Sequence, residues 1–300
     1  MTVNITALWD ALGWAVLHSF WQGALIGLAV WLLRSLATPR RAGLRYLAGM
    51  AGLVGTFVAF LATFIHGLIH QSGGVFQVMD TAALPETRDG VGLTLQILPT
   101  MVPTAAAETS ASPTLADTAS LSALMPSLVT PLIPWLGIVW AVGFACLSLQ
   151  AYRAWTRTRR LATTGLSDPG ADWASRLATL AARSGAPERV RLFISEHVAG
   201  PLTLGTLKPV ILVPAGFLTS LPPAQLEAIL LHELAHIRRH DFLFGLVQTA
   251  IRTALYFNPA VIILSRQVDE DREQACDDVA VSVAGSAGDL VRGLAALRLR

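Results

Sequence analysis

Charge is what this sequence has least of. Asp, Glu, Lys and Arg make up 14% of the 300 residues, against 53% for the apolar set AVILMFWYC. Soluble proteins carry about 25% charged residues, so a water-solvated globule of this size is not expected and a membrane protein is. Lysine is almost missing: Lys208 stands alone among the 22 basic residues. The net charge of +2 and the lack of any basic run interleaved with aromatics argue against nucleic acid as a partner. The two cysteines, Cys146 in an apolar run and Cys276 beside an acidic cluster, imply no disulfide framework. They are also too few for the Cys-rich ligand set of a structural zinc module. No internal repeat is visible.

What is there begins with long apolar runs. Residues 8–33 can cross a bilayer core of about 30 Å, and with no charged head or small-residue cleavage site they read as a retained span rather than a signal peptide. Trp9, Trp14 and Trp31 lie toward its ends, as interfacial aromatics do. His18 and Gln22 share one face of it, with Ser19 nearby, and are expected to hydrogen-bond to another helix. Residues 46–69 make a second span and 128–152 a third. The connection between the first two carries Arg34, Arg40, Arg41 and Arg45, and the segment after the third carries Arg153, Arg157, Arg159 and Arg160. Both are expected on the cytoplasmic side. The stretch 71–127 has five acids and one base, with an Ala/Thr/Ser/Pro-rich middle. It is expected outside, as a flexible loop.

From Ala154 onward the pattern is that of a water-facing domain. An amphipathic helix is expected over 171–184, ending at Ser184-Gly185, and a strand over 189–194. The run TLGTLKPVILVP has strand composition. Pro209 suggests that Val210, Ile211, Leu212 and Val213 form an edge strand, which could hold an extended peptide through its open backbone. Leu221-Pro-Pro then opens a helix.

That helix carries HELAHIRRHD, residues 232–241. His232 and His236, four apart, project from one helix face about a turn apart. This is the spacing at which two imidazoles can hold one Zn²⁺. Glu233 is placed to take a proton from a water at that metal, the general-base role of an H-E-x-x-H helix. His240 continues the series but not the site, because eight helical residues advance about 12 Å. The third ligand must come from elsewhere, and the acidic run 269–278 is the dense candidate. Glu273 and Asp277 share a helix face there, Glu273 as a possible ligand and Asp277 as a carboxylate backing a ligand imidazole. Asp269 and Glu270 remain alternatives. Between the two parts lies a fourth apolar run, 242–264. As a simple span it would put Glu273 on the opposite side from His232. Asn258-Pro259 is expected to break it into a helical hairpin that enters or lies against the membrane and returns. Tyr256 and Arg272 are the candidates for stabilising an oxyanion.

HELAHIRRHD, then YFNP and REQACDD, resembles the catalytic region of the BlaR/MecR-type integral-membrane zinc metallopeptidases. GTLKPVILVP and HSFWQGALIG are similar to that family too. The resemblance implies Zn²⁺ held by His232, His236 and Glu273, with Glu233 as catalytic base. It also implies a gluzincin-like fold, a protein or peptide substrate cut at the cytoplasmic face, and a bacterial inner membrane. The expected chain is mainly α. Residues 1–70 hold two transmembrane helices and a short cytoplasmic loop, 71–127 an extracytoplasmic loop and 128–152 a third transmembrane helix. Residues 153–300 make a cytoplasmic α+β zinc metallopeptidase domain with the membrane-associated hairpin. In the family's antibiotic sensors a β-lactam acylates a C-terminal domain and a repressor is then cleaved. Here Gly205 stands three before the only lysine, so no Ser-x-x-Lys motif occurs, and the sequence reaches Arg300 with no further span. β-Lactam sensing is not expected, and a shortened member, or one whose signal enters another way, is. Competing readings are a quality-control or processing protease of the HtpX/CAAX type, and a zinc-stabilised receptor without catalysis. The sequence leaves the oligomeric state open.

Overall fold

The apolar runs become long helices because a chain in hydrocarbon must satisfy its backbone internally. The computed structural model describes residues 5–36, 42–80, 130–161 and 163–298. Helix α1 spans Ile5–Leu36, α2 Ala42–Asp80 and, after a 3₁₀ turn at Thr130–Leu132, α3 Ile133–Leu161. Three helical stretches are long and apolar enough to cross a membrane: Ile5–Leu36, Ala42–His70 and Thr130–Leu161. They coincide with the three expected spans; the first two run past both expected ends and the third past its C-terminal end. Residues 81–127 of the expected outer loop lie outside the described residues, whereas α2 continues as helix past the expected loop start at 71.

The chain divides into two compact units, Met1–Ala15 with Thr63–Ile138, and Val16–Ala62 with Val139–Arg300. In the first, small residues let helices approach closely: a Cβ on Gly67 would stand 3.1 Å from that of Ala11. The second unit contains the sheet. Its elements are β1 Leu166–Ser167, α4 Ala171–Ser184, β2 Arg191–Ser195, β3 Leu202–Leu204, β4 Val210–Pro214, α5 Phe217–Ser220, α6 Pro223–Arg238, α7 Asp241–Ala254, α8 Pro259–Ala284 and α9 Ala287–Arg298. The amphipathic helix ends where expected, with Gly185 left-handed (φ 70°) and its N–H returning to Ala181 and Ala182, as a glycine C′ residue does.

The sheet order is β1-β2-β4-β3, with β2 and β4 parallel and the other pairs antiparallel. Val210, Ile211, Leu212 and Val213 therefore form a central strand, not an edge. Leu212 pairs with Phe193 on one side and Leu202 on the other. Ile211 and Val213 enter the core against α4 and α6, while Val210 and Leu212 enter a second cluster with Leu204 and Phe242. A run apolar at every position is the mark of a strand covered on both faces. Pro209 only precedes the first residue of the strand, so its missing N–H does not force an edge. The edge on this side is β3. It joins β4 through Gly205, whose φ of +86° and 2.9 Å Cβ approach to the Lys208 carbonyl favour glycine.

The fourth apolar run is broken as Asn258-Pro259 requires. Asn258 is extended and its side chain accepts from the N–H groups of Ala260 and Val261, with Pro259 in the first turn. Gln248 on α7 donates to the Ser265 carbonyl and Asp269 on α8, so the two helices form a hairpin. On α1, beside His18 and Gln22, Ser19 is bonded to the hairpin: Asn258 Nδ2 donates to its carbonyl at 2.8 Å.

Candidate metal centre

Helix α6 is held rigidly: Leu226, Ile229, Leu230, Leu231 and Leu234 are all at most 1% exposed. Burial on that scale, worth about 1.5–3 kcal/mol per side chain, fixes the rotation of the helix and with it the histidines. The Nε2 atoms of His232 and His236 lie 3.1 Å apart. Glu273 Oε2, from α8, lies 3.6 Å from the first and 3.8 Å from the second. Their far ring nitrogens each face a carboxylate. His236 Nδ1 is 2.9 Å from Asp241 Oδ2, and His232 Nδ1 is 2.8 Å from Asp277 Oδ1. The latter pair is close in distance but off-line, so neither atom completes a hydrogen bond.

With both Nδ1 atoms turned to carboxylates, the two Nε2 lone pairs face each other and a carboxylate oxygen. That arrangement calls for a positive charge at its centre. An ion bonded tetrahedrally at about 2.0–2.2 Å sets its ligand atoms about 3.3–3.6 Å apart, so the three side chains fit zinc. Without metal the charge is supplied by a proton. Burial disfavours the imidazolium of His232, but Asp277, Glu273 and the charge of Glu233 outweigh it and push its pKa up to about 10. The facing His232 ring in turn holds Glu273 below the ordinary carboxylate range. A metal entering here displaces that proton.

Glu233 sits on the same helix beside the histidines, and its Oε2 accepts from Thr203 Oγ1 at 2.6 Å. It opens on a cleft of about 300 Å³, bounded by Pro201, Leu202 and Thr203 at the β3 edge and by Arg272 and Glu273 across from it. Arg272, held by Asp269 at 2.8 Å, therefore faces the cleft. Tyr256 does not, since its hydroxyl turns to the Val139 carbonyl. His240 lies outside the triangle. It is exposed and takes φ 57°, the left-handed turn that ends α6 and starts α7. The turn swings Asp241 back onto His236.

Asp241 and Thr203 are the side chains at this site that sequence reasoning missed. Asp241 was adjacent to the motif, but nothing local announces a left-handed histidine. Thr203 comes from a strand brought in by the tertiary fold. Cys276 also lies here, 3.3 Å from both His236 Nδ1 and Asp241 Oδ2, making a second potential metal-binding group with them. Burial, reinforced by the Asp241 carboxylate, pushes its thiol pKa up, which favours the neutral thiol.

A family model described as BlaR1 peptidase M56 matches residues 14–286. A methicillin resistance mecR1 protein of Staphylococcus aureus is 29% identical over 90 residues, and the regulatory protein BlaR1 of Bacillus licheniformis is 30% identical over 90. In each case the aligned stretch is 30% of this chain and 15% of the relative.

Proposed function

Because the chain belongs to the M56 family of BlaR1-type peptidases, we propose that it is an integral-membrane zinc-dependent endopeptidase. The observation that carries this reading is the triangle of His232, His236 and Glu273 with Glu233 alongside. Zinc bound by those three side chains would supply Lewis-acid chemistry at an open fourth position. Glu233 takes a proton from the water that attacks the peptide carbonyl and returns it to the departing amine. Thr203 holds that carboxylate at the cleft wall, Asp241 holds the His236 imidazole and Asp277 faces that of His232. Arg272 presents positive charge to the oxygen on which negative charge develops. The β3 edge, in place of the central strand β4, offers open backbone to an extended substrate. The gluzincin-like domain, residues 153–300, lies on the cytoplasmic side with the arginines of the last turns of α3. The α7–α8 hairpin keeps the site near the bilayer surface.

Proteolysis in regulatory signalling is the role we assign, cutting a repressor or membrane-associated protein; the regulatory naming of the BlaR1 relative favours it over quality control. A zinc-stabilised receptor without catalysis accounts less well for Glu233 at the rim of an open cleft. The test is Glu233→Gln in the purified full chain, assayed for zinc content and for cleavage of an unbiased peptide library. About one zinc per chain should be retained while cleavage falls about 10²–10⁴-fold. Undiminished cleavage would remove the base from the mechanism.

A further inference from the structure

The acidic run of α8 divides between two opposite faces. Glu273 and Asp277, one turn apart, face the histidines of α6. Asp271, two residues before Glu273, points about 200° around the helix from it. It belongs instead to the buried stripe Val261, Leu264, Val268, Asp271 and Ala275. That stripe meets the first two spans. Val268 packs so tightly on Gly49 of α2 that a Cβ there would stand 2.6 Å from its methyl, and Leu264 lies against Gly52. Asn258, at the start of the same helix, bonds to Ser19 of α1.

A carboxylate 3% exposed in such a seam needs partners, and the ends of the spans provide them. Arg34, in the last turn of α1, donates from both terminal nitrogens to the two oxygens of Asp271. Arg45, in the first turn of α2, brings Nε to 3.2 Å from Oδ1 and donates to Gln274. The next residue, buried Tyr46, carries the guanidinium of Arg239 over its ring at 4.8 Å. Arg239 Nε in turn lies 3.4 Å from the Asp241 oxygen not engaged with His236. The last turn of α1 and the first turns of α2 thus reach the helices that bear the ligands.

We propose that these span ends are part of the scaffold of the metal centre. Arg34 and Arg45 act through Asp271, and Tyr46 through Arg239 and Asp241, as positioning residues for Glu273 and His236. The proposal rests on the metal-centre reading above. The Glu273 side chain is 54% exposed, so packing around it does not fix its position. Its aim follows the rotation and register of α8. An apolar seam alone tolerates sliding and small rotations, whereas two guanidinium groups from different helices meeting one carboxylate do not. Asp271 is the charged member of the buried stripe and therefore the residue that locks it.

The experiment uses the full chain in detergent and follows zinc affinity by competition with a chromophoric chelator. It also records the visible spectrum of the Co²⁺-substituted protein and thermal unfolding of the metal-free protein. Asp271→Asn, measured well below its metal-free unfolding temperature, should weaken zinc binding about tenfold or more and alter the Co²⁺ spectrum, while the unfolding temperature itself falls because two guanidinium groups lose their counter-charge. Asp271→Glu should recover much of the affinity. Tyr46→Leu should weaken zinc binding through the second route, while Arg176→Gln, which breaks a surface ion pair with Glu227, should do nothing. Zinc affinity within twofold of wild type in Asp271→Asn, or a loss that only tracks a fall in metal-free unfolding temperature, would overturn the proposal. Zinc content that does not depend on His232, read from His232→Ala, would overturn the metal-centre reading itself and the scaffold with it.

Discussion

Replacing Asp241 with asparagine changes one atom and tests how the centre is held. Asp241 is 5% exposed, with Oδ2 2.9 Å from His236 Nδ1 and Oδ1 3.4 Å from Arg239 Nε. Both neighbours present N–H groups. An amide has one acceptor oxygen, so in either orientation its NH₂ faces a donor. The imidazole loses its carboxylate partner or Arg239 loses its counter-charge, and His236 becomes a poorer ligand either way. Loss of a carboxylate behind a metal-bound histidine costs 10–100-fold in metal affinity, about 1.4–2.7 kcal/mol. Zinc affinity of Asp241→Asn, by competition with a chromophoric chelator in detergent, should fall within that range. The metal-free fold should survive, because the replacement is isosteric. Asp277→Asn, behind His232, is the parallel case. An Asp241→Asn protein that binds zinc within twofold of wild type would show that Asp241 neither orients His236 nor strengthens it as a ligand.

Leu212→Pro should abolish folding rather than weaken substrate binding alone. It removes a ladder donor from a central strand and the packing of a side chain with no exposure, a loss of about 2–5 kcal/mol for the packing. Well-behaved, zinc-loaded protein from that variant would contradict the observed strand order. Acidity should act on the metal-free protein through His232 and Glu273. Raising the His232 pKa from 6.5 to about 10 gives a stabilisation fully present below pH 6.5 and lost as pH rises through about 10. The depressed pKa of Glu273 gives one present above its ordinary value of 4.5 and lost as pH falls through the lower, folded value. For these two groups the metal-free protein is most stable between those two ordinary values. Zinc, which must displace the His232 proton, should instead bind more tightly as pH rises toward 10. Chelator-treated protein unfolded across the pH range checks the first statement and zinc titration at several pH values the second. Zinc affinity that stays flat from about pH 6 to 8 would refute the proton displacement.

Local chemistry carried much of this molecule. Apolar runs long enough to cross a bilayer become helices whatever surrounds them, because the backbone must bond to itself. Four-residue spacing puts His232 and His236 on one face of any helix that contains them, and Asn258-Pro259 breaks a helix through its own backbone sterics. Those features were legible in the sequence, as was the pairing of Glu273 with Asp277 on one face of α8. The placement of β4 was not. Pro209 and VILV are compatible with an edge or a centre, and only pairing with β2 on one side and β3 on the other makes it central. The acidic run 269–278 reads as the source of a ligand and its backing carboxylate, and tertiary packing divides it further, between the candidate metal centre, a salt bridge of Asp269 with Arg272 and a buried anchor, Asp271, for two membrane spans. Asp241 reaches His236 because His240 adopts a left-handed conformation that its residue type does not dictate. Residue type and helical spacing narrow the candidate ligands to a few side chains. Tertiary structure decided which carboxylates reach those histidines and which are buried, because distance and desolvation depend on what the rest of the chain brings alongside.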